Sequence, residues 1–117
     1  MEWRTIAAFP CYEVSDAGLV RHKDRKVVLK PFTDRLQEYD RVTLYNGGRK
    51  SKVMVHILVA EAFLGPRPEG MEIDHLNTNR HDNRARNLRY VTPETNRLNP
   101  ITLWKREMRK RGMPVLF

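Results

Sequence analysis

The sequence predicts an α+β fold: a small antiparallel β-module, then a core helix, then a strand–loop–strand–helix unit. Three observations carry this. Short segments between turn signals alternate apolar and polar residues across the first half. One apolar stretch, Val53 to Leu64, ends on Gly65-Pro66. Thr92-Pro93 then starts a helix, with threonine at the N-cap and proline at the first helical position.

The elements follow in order. Tyr12-Glu13-Val14 alternates like a strand, Ser15 to Gly18 is a turn, and Leu19-Val20-Arg21 resumes extended structure, making a hairpin. Val27-Val28-Leu29 reads as another short strand before Pro31. In the strand 39–45, Val42 and Leu44 share a face with Asp40, opposite Tyr39, Arg41, Thr43 and Tyr45. Asn46-Gly47 signals a hairpin, and residues 48–52 read as a basic loop. A strand ends near Val55, and a helix from His56 to Leu64 is apolar nearly all round, so it should be the core helix. Met71-Glu72-Ile73 and Leu88 to Val91 are strands flanking a polar loop. After the helix that starts at Pro93, Asn99-Pro100 interrupts, and Ile101 to Arg111 forms a last basic helix with Gly112 as its C-cap. The expected division is a β-module over 1–52, a core over 53–100 and a basic helix or tail over 101–117.

With 117 residues the chain builds one domain or one domain with an appendage. Lys and Arg number 22 against 14 Asp and Glu, for a net charge of +8 and a pI near 10.1. Such an excess favours a polyanion partner, because phosphates release condensed counterions on binding cations. One cysteine, Cys11, excludes an internal disulfide and a cysteine-rich zinc site, and fits a reducing compartment. No apolar run suits a signal peptide or a membrane span, so the expectation is a soluble, cytoplasmic protein.

The densest chemistry lies in Met71 to Asn96, with two histidines, five asparagines and four arginines. Asp74 and Asn96 can each offer an oxygen to a metal from opposite walls of a pocket. Hard oxygen ligands with open positions suit one Mg²⁺ or Mn²⁺. His75 can act as general base on water. The Asn87 amide can hold the histidine loop, or His75 itself, in orientation. Adjacent strand residues point to opposite faces, so Asp74 and His75 are expected to share a site only if the strand ends or bulges there.

EIDHLNTNRHDNRARNLRYVTPETN resembles the HNH endonuclease motif of phage and intron-encoded nucleases. VHILVAEAFLGPRP is similar to the helix that leads into it. WRTIAAFPCYEVSDAGLVRH resembles the modular DNA-binding motif found upstream, with its Tyr-x-Val-Ser-x-x-Gly-x-Val core. Together the three blocks cover most of residues 3–97. The resemblance implies a ββα-metal (His-Me finger) core and metal-dependent cleavage of double-stranded DNA, in a bacterial host's cytoplasm if the chain is phage-encoded. It implies Asp74 and Asn96 as metal ligands, His75 as base and Asn87 as the orienting residue. Asn96 stands where many HNH enzymes have a second metal-binding histidine, a departure shared with the phage nicking subgroup. One site per chain implies nicking by a monomer; a double-strand break needs a dimer or two events. The rival reading is a DNA-binding module that keeps the fold without the chemistry.

Arg80, Arg84, Arg86, Arg89 and Arg97 surround the site and are expected on phosphates, as are Lys105, Arg106 and Arg109 of the last helix. Plainer roles are expected elsewhere: His56 packed or capping, His81 solvated, Asn83 satisfying a turn backbone, and Trp3 and Trp104 packed.

Overall fold

The computed structural model describes residues 1–33, 39–97 and 100–112, with backbone alone for 96, 97 and 100–102. Strands β1 (Trp3–Ile6), β2 (Phe9–Ser15) and β3 (Val20–His22) form an antiparallel sheet in chain order. Strands β4 (Phe32–Thr33), β5 (Asp40–Asn46) and β6 (Arg49–Met54) form a second, and helix α1 (Val55–Phe63) follows without a break. Strands β7 (Glu72–His75) and β8 (Leu88–Val91) make a two-stranded hairpin. Helices α2 (Pro93–Arg97) and α3 (Pro100–Lys110) complete the described chain.

The alternation of the first strands sorts their side chains as expected of half-buried sheets. Tyr12 and Val14 of β2 and Val20 of β3 are buried, and Val42 and Leu44 of β5 are almost wholly so. They meet Val55, Leu58, Val59 and Ala60 of α1 and Leu88 of β8 in one apolar cluster. The core therefore draws on both halves of the sequence, with α1 packed against strands of all three sheets. Arg4 of β1 fixes the end of that helix. Its Nη1 donates to the Ala62 carbonyl at 2.6 Å, and its guanidinium lies 4.6 Å from the centre of the Phe63 ring. A cation there also complements the helix dipole. On the outer face of β2, Glu13 pairs with Arg21 at 2.7 Å, and Arg21 in turn covers Trp3 at 3.8 Å.

Three expectations are corrected. The basic run after Asn46 is strand, because the hairpin turns one residue later than the Asn-Gly signal suggests. Asn46 pairs with Arg49, and Gly47 and Gly48 both have positive φ, as a two-residue type I′ turn requires. Residues 27–29 make only an isolated bridge, Val28 to Arg21, with Val27 and Val28 about half exposed. They lack the continuous partner that a strand needs. The strand β7 runs two residues beyond Ile73, through Asp74 and His75, in regular register with Arg89 and Leu88. Among the described residues no helix is long and apolar enough to cross a membrane.

The turn between β2 and β3 does more than reverse the chain. The Asp16 carbonyl accepts from the Ala85 amide at 2.8 Å, and Gly18 (φ +85°) sits so close to Asn83 that a Cβ would lie 3.0 Å from its backbone carbon and oxygen. Glycine is needed here twice, for its φ and for the approach. We expect Gly18→Ala to destabilise the chain by about 1–3 kcal/mol, from left-handed strain plus overpacking. A chemical denaturation midpoint unchanged from wild type would remove this turn from the supports of the loop.

Candidate active site

Residues 76–87 connect β7 to β8 and carry few apolar side chains, so the loop is held by polar ones. Asn87, on a single 3₁₀ turn (Ala85–Asn87), is the main tie. Its Oδ1 accepts from the Asn77 amide at 3.1 Å. Its Nδ2 donates to Asn77 Oδ1 at 3.0 Å and to the Asp82 carbonyl at 2.9 Å. Asn77 Nδ2 then donates to Asp82 Oδ2 at 2.9 Å. Arg84 grips the same carboxylate through two hydrogen bonds of 2.7 and 2.6 Å. That grip pulls the Asp82 pKa down to about 2. Of the two placements open to Asn87, the structure has the amide on the loop, not on His75.

His75 is 5% exposed. Its Nε2 lies 2.9 Å from Oδ1 of Asn83, itself buried. An amide oxygen only accepts, so with Oδ1 facing the ring, Nε2 carries the proton and Nδ1 has the lone pair. Among the described residues, Nδ1 has no hydrogen-bond partner. Burial lowers the His75 pKa, with the Asn83 bond and the charge of Asp74 opposing the shift. The imidazole is therefore neutral at pH 7 and able to accept a proton. Asn83 was expected to serve only a turn backbone; it instead fixes the ring. Nothing in its sequence position separates it from Asn77 or Asn79, which do bond turn amides two residues on.

Asp74 is 5% exposed, and its Oδ2 accepts from Nε of Arg89, the cross-strand partner, at 3.0 Å. The strand does not bulge at Asp74 but ends at His75, one of the two conditions expected for the pair to share a site. Asp74 and His75 leave β7 on opposite faces at the loop end of the hairpin. His75 faces the core side with Leu88. Helix α2 packs across both strands, and its N-cap is as read, the Thr95 amide donating to Thr92 Oγ1 at 3.2 Å. The side chains of Asn96 and Arg97 lie outside the described residues. No three His, Cys, Asp or Glu converge among those described. Among the described side chains, Asp74 offers a buried carboxylate, the class of oxygen donor that a hard cation takes.

The predicted phosphate contacts separate into two groups. Arg84 and Arg89 are engaged by Asp82 and Asp74. Lys105 is buried rather than presented, and its pKa is lowered by that burial and by Arg109 and Arg80 nearby. It sits on the inward side of α3, a placement that helix phase alone does not give. Arg80, Arg86, Arg106 and Arg109 are exposed. His81 is not simply solvated: its Nδ1 lies 2.7 Å from Asp40 Oδ1. Trp104 is 47% exposed.

His56 is packed, as expected, but against the site. Its ring lies 5.3 Å from His75 and 4.8 Å from Tyr39. Its Nδ1 is buried without a partner. Burial, with repulsion from His75 and Arg67, lowers its pKa to about 4. Thr78, three residues beyond His75, has φ +61° and a buried hydroxyl without a partner. A β-branched residue is strained in that region.

Two outcomes follow. The unfolded chain protonates His56 near pH 6.5 and the folded chain only near 4. Stability present above pH 6.5 is thus lost as pH falls towards 4, by about 3 kcal/mol. Denaturant titrations at pH 7.5 and 4.5 should show this loss, reduced in His56→Phe; an equal loss in both proteins would remove His56 as its source. Replacing Thr78 by glycine should raise stability by about 1 kcal/mol by relieving φ and removing the orphan hydroxyl. A fall in the thermal midpoint of Thr78→Gly would show that the strain is offset by contacts of the threonine.

Comparison with known proteins adds a second line. A family model described as HNH endonuclease matches residues 53–98, and one described as NUMOD4 motif matches residues 1–45. The chain is 35% identical over 97 residues to DNA endonuclease I-HmuI of Bacillus phage SP01, covering 82% of this chain and 55% of that protein. It is 40% identical over 50 residues to a putative HNH homing endonuclease, YosQ, derived from the SPbeta prophage of Bacillus subtilis, covering 43% of this chain and 29% of the relative. A solved structure, described as DNA binding and cleavage by the HNH homing endonuclease I-HmuI, superposes with a TM-score of 0.75 at 31% identity. That match covers 99% of this chain and 62% of the other. The chain thus spans little more than half the length of I-HmuI.

Proposed function

We propose that this chain, which belongs to the HNH homing-type endonucleases and carries a NUMOD4 motif upstream of its HNH domain, hydrolyses phosphodiester bonds of double-stranded DNA. The observation that carries the reading is the state of His75. Its Nε2 is held by Asn83 Oδ1 at 2.9 Å, its Nδ1 has no partner among the described residues, and the buried carboxylate of Asp74 is its neighbour in the strand. Its relative I-HmuI is named a DNA endonuclease, which supports the same substrate class here.

In this mechanism a water within hydrogen-bond reach of His75 Nδ1 gives its proton to the ring as its oxygen attacks phosphorus. The bond from phosphorus to the 3′ oxygen breaks, and the products are a 5′-phosphate and a 3′-hydroxyl. Asp74 and the Asn96 amide are the residues that would hold one Mg²⁺ or Mn²⁺. Bound there, such an ion supplies charge stabilisation at the phosphate and the leaving oxygen. Asn83 sets the tautomer of the base, and Asn87 keeps the loop that presents it. The exposed guanidiniums of Arg80, Arg86, Arg106 and Arg109 are the candidate phosphate contacts. Each chain holds one such constellation, so a nick is the product of a single encounter and a double-strand break takes two.

Supercoiled plasmid tests the reading. Wild type with Mg²⁺ should convert it to open circle, excess chelator should stop the conversion, and His75→Ala should be slower by roughly 100-fold or more, the usual worth of a general base. Equal cleavage by wild type and His75→Ala would falsify the assignment of the base. Salt-sensitive binding with no metal-dependent nicking would favour the rival, a DNA-binding module without chemistry.

A further inference from the structure

The His75 ring packs with two others in a triangle, the planes of His56 and His75 standing 57° apart. Tyr39, at the head of β5, lies 4.8 Å from the ring of His56 with 30° between the planes. His56, the second residue of α1, lies 5.3 Å from His75. Tyr39 and His75 are themselves 6.4 Å apart with 31° between planes. The functional reading does not use Tyr39 or His56, and both come from outside the strand–loop–strand–helix unit that holds His75.

A general base needs more than one fixed atom. The hydrogen bond from Nε2 to Asn83 pins one nitrogen, but the ring can still pivot about that bond, and the outer torsion of a histidine is soft. Flat neighbours packed against the ring from two directions, His56 tilted by 57° and Tyr39 by 31°, remove that freedom. His56 tolerates a cost in this place, since its Nδ1 is buried without a partner. The segment that supplies Tyr39 also holds the loop: Asp40 pairs with His81 at 2.7 Å, and the Arg80 guanidinium lies 5.4 Å from the Tyr39 ring centre. Residues 39 and 40 thus touch the loop at two points, while the Tyr39 ring packs beside both His56 and the base.

We propose that Tyr39 and His56 are positioning residues for His75, Tyr39 as a wall provided by the N-terminal module and His56 as a second ring packed against both Tyr39 and the base. The inference rests on His75 being the base, so its test has a readout that needs neither substrate nor metal. The His75 ring protons, identified by their loss in His75→Ala, are followed by NMR in the full 117-residue chain alongside cleavage rates.

Tyr39→Phe keeps the ring and should leave both the resonances and the single-turnover rate at saturating duplex within about twofold of wild type. Tyr39→Leu keeps bulk and removes the flat face. It should move or broaden the His75 resonances and slow the single-turnover rate by roughly 10–100-fold, the scale of a misplaced catalytic group. Duplex affinity measured in chelator should not change. His56→Ala should behave like Tyr39→Leu, and His56→Phe should recover most of the lost rate. Unmoved His75 resonances in Tyr39→Leu would overturn the proposal, as would a deficit seen only in duplex affinity. So would a loss in Tyr39→Phe equal to that in Tyr39→Leu, which would give the work to the hydroxyl. Should wild type fail to cut DNA, the functional reading falls while the resonances still decide the stack.

Discussion

The hydrogen bond between His75 and Asn83 depends on a loop that has almost no apolar side chains to bury. Burial of apolar area normally offsets the entropy of ordering a chain. Residues 76–87 lack that term and substitute amide and carboxylate contacts for it. Asn87 satisfies three partners, and Asp82 collects Asn77 and Arg84. Each bond contributes only about 1 kcal/mol net, so their value lies in fixing one conformation rather than in bulk stability. The strain at Thr78 and the orphan nitrogen of His56 sit in or against this same loop. The remainder of the fold has to hold them there.

It does so from the N-terminal side. Gly18 admits the backbone of Asn83, Asp16 anchors Ala85, Asp40 pairs with His81, and Tyr39 backs His56. The apolar cluster joins the same segments beneath, with Leu88 among residues of the first two sheets. A loop of twelve polar-rich residues would fray on an isolated two-stranded hairpin, which is marginal by itself. Set against two further sheets and α1, it has walls on several sides.

The sequence revealed the parts that obey local rules. The strand alternation at Val42 and Leu44, the core helix at Val55–Phe63 and the Thr92 cap follow from period and cap chemistry alone. The prominence of Asp74-His75 came instead from the resemblance of three motif blocks in order. Features set by tertiary contact were not legible. Asn83 differs from its neighbouring asparagines only in where the folded loop carries it, and Tyr39 reaches His56 across seventeen residues of chain. The Asn-Gly signal was displaced by one because Gly47-Gly48 meets the same φ requirement more cheaply. The condition that the strand end or bulge at Asp74-His75 rested on the assumption that neighbours in one site must share a face. A hairpin end relaxes that condition, since both faces border the loop.

The arginines carry the last consequence. A count of basic residues treats all of them as available to a polyanion, yet counterion release depends on charges that actually reach phosphates. Arg84 and Arg89 are engaged by buried or half-buried carboxylates, and Arg4 and Arg21 by Glu2 and Glu13. Lys105 is turned inward. Those cations hold the fold, and removing one would leave a carboxylate without its partner. Arg80, Arg86, Arg106 and Arg109 remain exposed. Arg80 belongs to the same loop as Asn83, and Lys105 feels its charge from α3. The charge of Arg80 is thus felt on two sides, by Lys105 of α3 and by the histidine that the rest of the chain holds still.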